Sequence, residues 1–170
     1  DQGILSPGDK RAARTDLVVD PEGIVFAFVA NFMKEDRFKD YPTLRRVIQK
    51  ISEEKMWNRP ICLLALGSTG EVEKYGQIEI RHLPFRNDPA YVAEVYRAAD
   101  IYIHMARAEN YPTVILEALS CGTPVIASDV GGIPEQIVNG FNGFLTPAGE
   151  VDLVLMRIQQ IADNPDLAER

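Results

Sequence analysis

The sequence predicts an α/β fold in which a parallel sheet is covered by helices on both faces. Short apolar segments alternate with amphipathic ones along most of the chain, which is typical of strands joined by helical crossovers. Continuous apolar runs such as "IVFAFVA" and "PICLLAL" are expected of strands when both faces of a sheet are buried. With 170 residues, 46% of them hydrophobic, the chain has the length and apolar content of one domain.

The predicted elements follow one another in a regular order. The strand "GIVFAFVA" (23–30) is followed by the amphipathic helix "YPTLRRVIQKISEEKM" (41–56) and the strand "PICLLAL" (60–66). Next come the strand "QIEIRHL" (77–83), a helix over 89–99 and the strand "DIYIHM" (100–105). A helix over 112–120, the strand "PVIAS" (124–128) and a helix over 150–163 complete the order. Right-handed crossovers between the strands are expected.

Residues 1–20 differ in character from the rest of the chain. They contain a Pro-Gly turn, a short charged helix predicted from "DKRAARTDL" and a second turn at "DPEG", all before the first strand. We therefore interpret residues 1–20 as the remnant of an inter-domain linker with a short helix. Residues 21–170 are expected to form the folded domain.

Charge and composition exclude several classes of protein. The chain has 18 basic and 25 acidic residues, a net charge of −7, and no basic run, so nucleic acid is not an expected partner. The apolar runs are too short to span a bilayer and the N-terminal sequence lacks the apolar core of a signal peptide, which predicts a cytoplasmic protein. Cys62 and Cys121 lie in apolar sequence, so we expect reduced, buried thiols and no metal site.

The loops that follow the five predicted strands carry unusual chemistry. In chain order they are "ANFMKEDRFKD", "GSTG", "PFRND", "ARAENYP" and "DVGGIPE". In an open parallel sheet, ligands bind outside the carboxyl ends of the strands, where loops and helix N-termini converge. We interpret this edge as a binding site, although glycine-rich turns are also ordinary connections between strands and helices.

The start of the helix predicted over 112–120 suits an anion. Proline is favourable at the first position of a helix, and Pro112 stands there. Asn110, Tyr111 and Thr113 then lie where backbone N–H groups and the positive end of the helix dipole are free. Phosphate is the anion we expect at this position.

Two carboxylates bracket the expected anion site. Glu109 precedes the helix, and Glu117 lies more than one turn inside it. A carboxylate is a poor neighbour for phosphate but a good acceptor for two vicinal hydroxyls, such as those of a ribose or a hexose. The combination predicts a sugar nucleotide as the ligand.

One long stretch resembles a known family. The sequence "AADIYIHMARAENYPTVILEALSCGTPVIASDVGGIPEQIVNGFNGFLTP" contains a Glu-x7-Glu pair, a following glycine pair and a closing "NGFNGFL". It resembles the C-terminal, donor-binding domain of retaining GT-B glycosyltransferases of family 4, also called glycosyl transferases group 1. Weaker similarity extends upstream to the first strand. The resemblance implies a Rossmann-like, nucleotide-sugar-binding domain over 21–170, one of two domains in such an enzyme.

The resemblance also assigns roles to charged residues. Glu109 matches the glutamate near the transferred sugar and is the implied catalytic residue, and Glu117 matches the glutamate that binds the nucleotide ribose. Lys39 matches the lysine that neutralises the diphosphate. Asn31 stands where relatives have a second basic residue, so it is counted as donor-binding although its contribution to the diphosphate is open.

Uncharged residues of the same loops complete the implied donor site. Asn110, Tyr111 and Pro112 occupy a loop whose main-chain amides meet the sugar and phosphate of the donor in relatives, and Pro112 removes one such amide. Gly132 is counted with the donor-binding residues. With its neighbour Gly131, it equally fits a plain helix entry whose purpose is backbone geometry.

The implied reaction is transfer of a sugar from a nucleotide diphosphate sugar, such as a UDP or GDP sugar, to an unknown acceptor with retention at the anomeric carbon. The sequence has no Asp-x-Asp pair, so no cofactor or metal is expected, and Lys39 and the helix dipole would stabilise the departing diphosphate. The acceptor is expected on a missing N-terminal domain, through which any peripheral membrane association would also occur. The isolated chain is therefore expected to be inactive.

Other functions are weighed against this one. A catalytically silent nucleotide-sugar-binding module would keep the same fold, and Met105 and Ala106, where relatives have Pro-Ser, leave room for it. An oxidoreductase would need G-x-G-x-x-G after the first strand, where "ANFMKE" stands. Sugar-nucleotide epimerases and phosphorylases share the two-domain architecture, and the Glu-x7-Glu spacing favours transfer over these. His82 and His104 lie on predicted strands without acid partners, which indicates core or surface histidines.

Overall fold

A computed structural model describes residues 3–29 and 38–164 of the protein. These form one seven-stranded sheet with strand order β3-β4-β2-β1-β5-β6-β7. The strands are β1 Ile24–Val29, β2 Ile61–Leu66, β3 Glu73–Tyr75, β4 Ile78–Leu83, β5 Ile101–His104, β6 Val125–Ser128 and β7 Gly143–Thr146. The helices are α1 Lys10–Asp16, α2 Tyr41–Glu54, α3 Pro89–Ala98, α4 Thr113–Ser120 and α5 Val151–Ala162, and a 3-10 turn covers Ile133–Glu135.

The predicted α/β architecture is confirmed. Strand β1 lies at the centre, parallel to β2 on one side and to β5 on the other, and β4, β6 and β7 continue the parallel sheet. All five predicted strands and the predicted helices are present, each within a few residues of the expected bounds. The β3–β4 pair is the antiparallel one.

Two strands were not predicted from the sequence. Strand β3 has three residues, two of them charged, and it forms the outer edge of the sheet. Strand β7 begins with Gly143, and a Cβ atom at that position would lie 2.2 Å from the Val125 carbonyl oxygen. The backbones of β6 and β7 therefore approach so closely that glycine is required, and glycine-rich sequence gives no strand signal.

Each face of the sheet has its own hydrophobic core. Alternate residues of β1 point to opposite faces, as a strand requires. Ile24, Phe26 and Phe28 pack with apolar residues of α2 and α5, whereas Val25 and Ala27 pack with α1, α3 and α4. Because both faces are covered by helices, the chemistry of the molecule is confined to the strand ends and the loops.

The N-terminal segment is attached to the second of these layers. Helix α1 starts at the side-chain cap of Asp9, and it packs against α3. The buried Arg14 side chain donates hydrogen bonds to the carbonyl oxygens of Ala98, Pro21 and Gly23. It also forms an ion pair with Asp100. These bonds close the edge of the sheet at which the parallel strands begin, opposite to the edge that is predicted to bind a ligand.

Two further expectations concern cysteines and membranes. Cys62 and Cys121 are free and buried, as predicted, and burial raises the pKa of each thiol to about 11, so both stay protonated. Among the helices in the described residues, none has the length and apolar content needed to cross a bilayer.

Candidate ligand-binding site

The loops with unusual chemistry converge on one edge of the sheet. Five strands are mutually parallel: β1, β2, β4, β5 and β6. Their carboxyl ends therefore lie at the same edge of the sheet, and the segments that follow them lie there too. The loop after β1 is described from residue 38 onward, and Asn31 lies outside the described residues. The convergence of the other loops agrees with the prediction of a binding edge.

Lys39 and Glu109 form an ion pair at this edge. The Lys39 Nζ atom lies 2.7 Å from Glu109 Oε2, and each side chain is 22% exposed. Lys39 and Glu109 are 70 positions apart in the chain. They meet because a short antiparallel bridge joins Lys39 to Ala106. Lys39, the residue predicted to neutralise a diphosphate, therefore has its charge paired with that of a carboxylate.

Hydrogen bonds on both sides of that bridge fix the position of Lys39. The Asp40 N–H donates to the Met105 carbonyl at 3.1 Å, and the Arg107 N–H donates to the Phe38 carbonyl at 2.7 Å. Asp40 is buried and accepts a hydrogen bond from Thr43 Oγ1 at 2.8 Å. The start of α2 and the end of β5 thus hold Lys39 beside the loop that carries Glu109.

Two glycines, Gly131 and Gly132, pack against the backbone of the loop that carries Glu109. Gly131 has φ +55°, and a Cβ atom there would lie 1.7 Å from the Glu109 carbonyl oxygen. A Cβ at Gly132 would lie 1.9 Å from the Asn110 carbonyl oxygen. The Gly132 N–H donates to the Glu109 carbonyl at 3.3 Å. Close backbone packing therefore accounts for this glycine pair, and donor contact by Gly132 stays a prediction.

His104 also lies next to Glu109, which no local sequence pattern indicates. Its Nε2 atom lies 3.5 Å from Glu109 Oε2, and its side chain is 5% exposed. On the other side of the ring, Nδ1 lies 3.2 Å from the Tyr102 hydroxyl. The expectation that neither histidine has an acid partner is wrong for His82 as well, whose Nε2 lies 3.0 Å from Glu73.

The environment of Glu109 keeps it ionised. The His104 imidazole and the Lys39 ammonium lower the pKa of the Glu109 carboxyl from its ordinary 4.5 to about 2, although partial burial opposes the shift. Burial lowers the pKa of His104. At neutral pH, Glu109 is therefore a carboxylate and His104 a neutral imidazole.

This lowered pKa predicts how stability depends on pH. A depressed carboxyl pKa stabilises the fold above the unfolded value, about 4.5, and the gain is lost as the pH falls towards the folded value, about 2. The free energy of unfolding is measured in urea for the wild type and for Glu109→Gln. The difference between the two, wild type minus variant, is expected to decrease as the pH falls through this window. A difference that stays constant between these pH values would contradict the lowered pKa.

The N-terminus of α4 is the predicted anion position, and anion binding there stays a prediction. Pro112 is the N-cap and the helix begins at Thr113, one residue later than expected. No side chain among the described residues caps these N–H groups. The Asn110 N–H is directed to Glu109 Oε1 at 3.3 Å, so it is partly occupied, and the Tyr111 side chain is exposed.

Glu117 lies apart from the ion pair and faces a cleft. The cleft has a volume of 440 Å³ and is formed by the loops after β2 and β4 together with α3 and α4. Its walls are largely apolar and include Leu66, Phe85, Pro89, Val92 and Val114. The buried Tyr96 donates its hydroxyl hydrogen to Glu117 Oε2 at 3.2 Å. A half-buried carboxylate at the rim of an apolar cleft is suited to accept hydrogen bonds from the hydroxyls of a sugar ring. A flat group attached to that sugar would lie deeper in the cleft.

The described residues contain no group of three or more histidine, cysteine or acidic side chains placed to hold a metal ion. Among the described residues, the charged side chains at this edge include Lys39, Glu109 and Glu117, together with Arg107, which pairs with Asp40, and Arg86 and Asp88 at the cleft. An anion between the two glutamates stays a prediction.

Sequence comparison finds relatives of this chain. A family model described as glycosyl transferases group 1 matches residues 9–170. A D-inositol 3-phosphate glycosyltransferase of Segniliparus rotundus is 31% identical over 153 residues, which are 85% of this chain and 33% of that protein. The enzyme of the same description from Actinosynnema mirum is 30% identical over 99% of this chain and 43% of its own length. The chain thus spans less than half of the curated relatives it matches.

Solved structures share the fold over nearly the whole chain. Sucrose-phosphate synthase of Thermosynechococcus elongatus superposes with a TM-score of 0.78 at 24% identity, covering 99% of this chain and 43% of that one. HepE of Anabaena, in complex with UDP and glucose, gives 0.77 at 21% identity over 99% of this chain and 47% of its own. The C-terminal domain of LpcC from Francisella tularensis gives 0.75 at 18% identity, and there the match covers 90% of the compared chain.

Proposed function

The chain belongs to the glycosyl transferases group 1 family, and from this premise we propose that it is the donor-binding half of a retaining glycosyltransferase. It would bind a nucleotide diphosphate sugar and present the sugar to an acceptor held by a second domain. The observation that carries the proposal is the division of the binding edge into an apolar cleft with Glu117 at its rim and a charged end with Lys39 and Glu109.

We propose one orientation for the nucleotide sugar, with its base in the apolar cleft and its transferred sugar at the charged end. A nucleobase has flat faces that pack on apolar side chains and a polar edge, so the cleft with Phe85 and Val92 beside Arg86 and Asn87 suits it. Glu117 then accepts hydrogen bonds from the ribose hydroxyls. The diphosphate reaches the α4 N-terminus, and the transferred sugar lies next to Glu109. Uridine is the first base to test, because HepE was solved with UDP and glucose, and guanosine is the second.

Charge at the diphosphate is the central electrostatic requirement. When the bond between the anomeric carbon and the diphosphate oxygen breaks, negative charge develops on the leaving group. Lys39 and the N–H groups at the start of α4 are positive groups of the described site, and Asn31 and Gly132 are proposed to add donors. We propose that these groups stabilise the leaving diphosphate without a metal ion.

The acceptor completes the reaction from outside this chain. Its hydroxyl oxygen bonds to the anomeric carbon on the face that the diphosphate leaves, and the hydroxyl proton passes to the departing diphosphate. This step retains the anomeric configuration and balances charge and protons. The negative charge of Glu109, maintained by its lowered pKa, holds the sugar hydroxyls and stabilises positive charge that develops on the ring.

The nucleotide role of Glu117 is tested by Glu117→Ala. The substitution is expected to weaken UDP binding by about 1.5–3 kcal/mol, the range for a hydrogen bond to a charged group, measured by calorimetric titration of the folded chain. Glu54→Ala, which removes the same charge from an exposed position on α2, is the matched control and should leave the affinity unchanged. Equal affinity of the Glu117→Ala variant and the wild type would exclude the ribose assignment.

A second test separates binding from transfer. The 170-residue chain is expected to bind UDP or GDP but to transfer no sugar, because the acceptor must be held in line and water excluded by a second domain. The assay compares this chain with a longer protein that includes a preceding acceptor domain, using labelled nucleotide sugars and a panel of acceptors. Acceptor-dependent transfer by the 170-residue chain would refute the two-domain proposal, and binding without turnover in the longer protein would indicate a silent binding module.

A further inference from the structure

We infer that His104 is a positioning residue for Glu109, donating its Nε2–H to the carboxylate and holding it in place when Lys39 turns to the diphosphate of the ligand. This inference rests on the proposed function for its meaning, since it assumes that Lys39 and Glu109 serve the phosphate and the sugar of one donor. It concerns a buried side chain at the end of β5.

The geometry around His104 is unusual for a buried side chain. The Nε2 atom is enclosed and has no hydrogen-bond partner among the described residues. It is directed at Glu109 Oε2 from 3.5 Å, a distance slightly longer than a hydrogen bond. The same oxygen already receives the Lys39 ammonium at 2.7 Å. A buried donor without a partner is costly, so the ring has a strong reason to take this oxygen once Lys39 leaves it.

The two sides of the ring determine which nitrogen carries the proton. Nε2 faces the Glu109 carboxylate, which only accepts hydrogen bonds, so a neutral imidazole bears its hydrogen on Nε2. Nδ1 then accepts the hydroxyl hydrogen of Tyr102, 3.2 Å away, and the Tyr102 side chain is fully buried. Tyr102 and His104, both on β5, thus orient a donor towards Glu109.

This arrangement has a consequence for a change of partners. Lys39 can serve the diphosphate only by weakening its bond to Glu109, and a carboxylate released from one partner would rotate away from the sugar. His104 lies on β5, in the rigid sheet, so its N–H can keep Oε2 in place. Because the imidazole is neutral, it holds the carboxylate without cancelling the negative charge that the sugar requires.

Nuclear magnetic resonance of the imidazole nitrogens tests the contact directly. The chain has two histidines, and His82→Gln assigns their signals. We expect His104 in the Nε2–H form, a mixture of both forms in Tyr102→Phe, and a change at Nε2 when UDP is added that is absent in Glu109→Gln. A proton on Nδ1 in the wild type, or an Nε2 signal insensitive to Glu109→Gln, would overturn the inference.

Activity of the longer protein supplies the second readout. His104→Leu, once shown to be folded by its spectrum, is expected to lower kcat roughly 10- to 100-fold with little change in KM, and His104→Gln, which restores a side-chain N–H, should recover part of the loss. If Glu109→Gln leaves kcat unchanged, the proposed function fails. If Glu109→Gln lowers kcat but His104→Leu does not, the inference about His104 fails by itself.

Discussion

Replacing Glu109 by glutamine in the longer, two-domain protein is expected to lower turnover by roughly 100- to 1,000-fold, the range for removal of one preorganised electrostatic group from a catalytic site. Glutamine keeps the shape of the side chain and removes its charge. The Glu109 carboxyl is held ionised by its neighbours, so the variant loses a charge that is present at every physiological pH. The measurement is kcat with a saturating nucleotide sugar.

Nucleotide affinity provides the contrast for this experiment. UDP carries no transferred sugar, so its affinity for the Glu109→Gln chain is expected to stay close to that of the wild type. Lys39 stays available to the phosphate in this variant, since the ammonium no longer has to leave a carboxylate. Equal losses in turnover and in UDP affinity would place Glu109 in the nucleotide site and remove it from the sugar.

The second large effect is expected from Gly131→Ala. Alanine at this position must adopt φ +55° and would place its Cβ 1.7 Å from the Glu109 carbonyl oxygen. The left-handed backbone costs about 1–3 kcal/mol, and overpacking adds about 1–3 kcal/mol. The chain relieves the collision by moving the Glu109 loop, so nucleotide-sugar binding should fall together with the free energy of unfolding, measured in urea.

Two other glycines separate the causes of that loss. Gly149 has φ +85° with open space around a Cβ atom, so Gly149→Ala includes the backbone strain without the collision. Gly132 has φ −88°, and Gly132→Ala includes the collision, 1.9 Å from the Asn110 carbonyl oxygen, without the strain. If Gly131→Ala and Gly149→Ala destabilise equally, the close packing beneath Glu109 contributes nothing.

The sequence predicted the fold well because the fold depends on patterns that the sequence displays. Buried parallel strands are continuous apolar runs, and "IVFAFV" and "ICLLAL" have no other plausible environment. The parallel order then places the carboxyl ends of β1, β2, β4, β5 and β6 on one edge, so the convergence of their loops followed from the element order. Strand β3 was not predicted because it is short and charged. Strand β7 was not predicted because it depends on a glycine that packs against β6.

Parts of the site depend on contacts between distant positions, which no local pattern reveals. The pairing of Lys39 with Glu109 requires the bridge between Lys39 and Ala106. His104 looks like an ordinary strand residue until the Glu109 loop folds back over the end of β5. Tyr96 approaches Glu117 because α3 and α4 pack side by side. The roles of Lys39, Asn110, Tyr111, Pro112, Thr113, Glu117 and Gly132 towards a donor, and that of Asn31, stay predictions.

The attachment of the N-terminal segment determines where a fragment of this protein can begin. Arg97 donates hydrogen bonds to the carbonyl oxygens of Ile4 and Ser6, and these bonds hold Leu5 against the mouth of the cleft that Glu117 faces. A fragment cut at the start of β1 would retain the whole sheet and still lack one wall of the cleft. The shortest piece that preserves the pocket therefore extends well upstream of the shortest piece that preserves the strands.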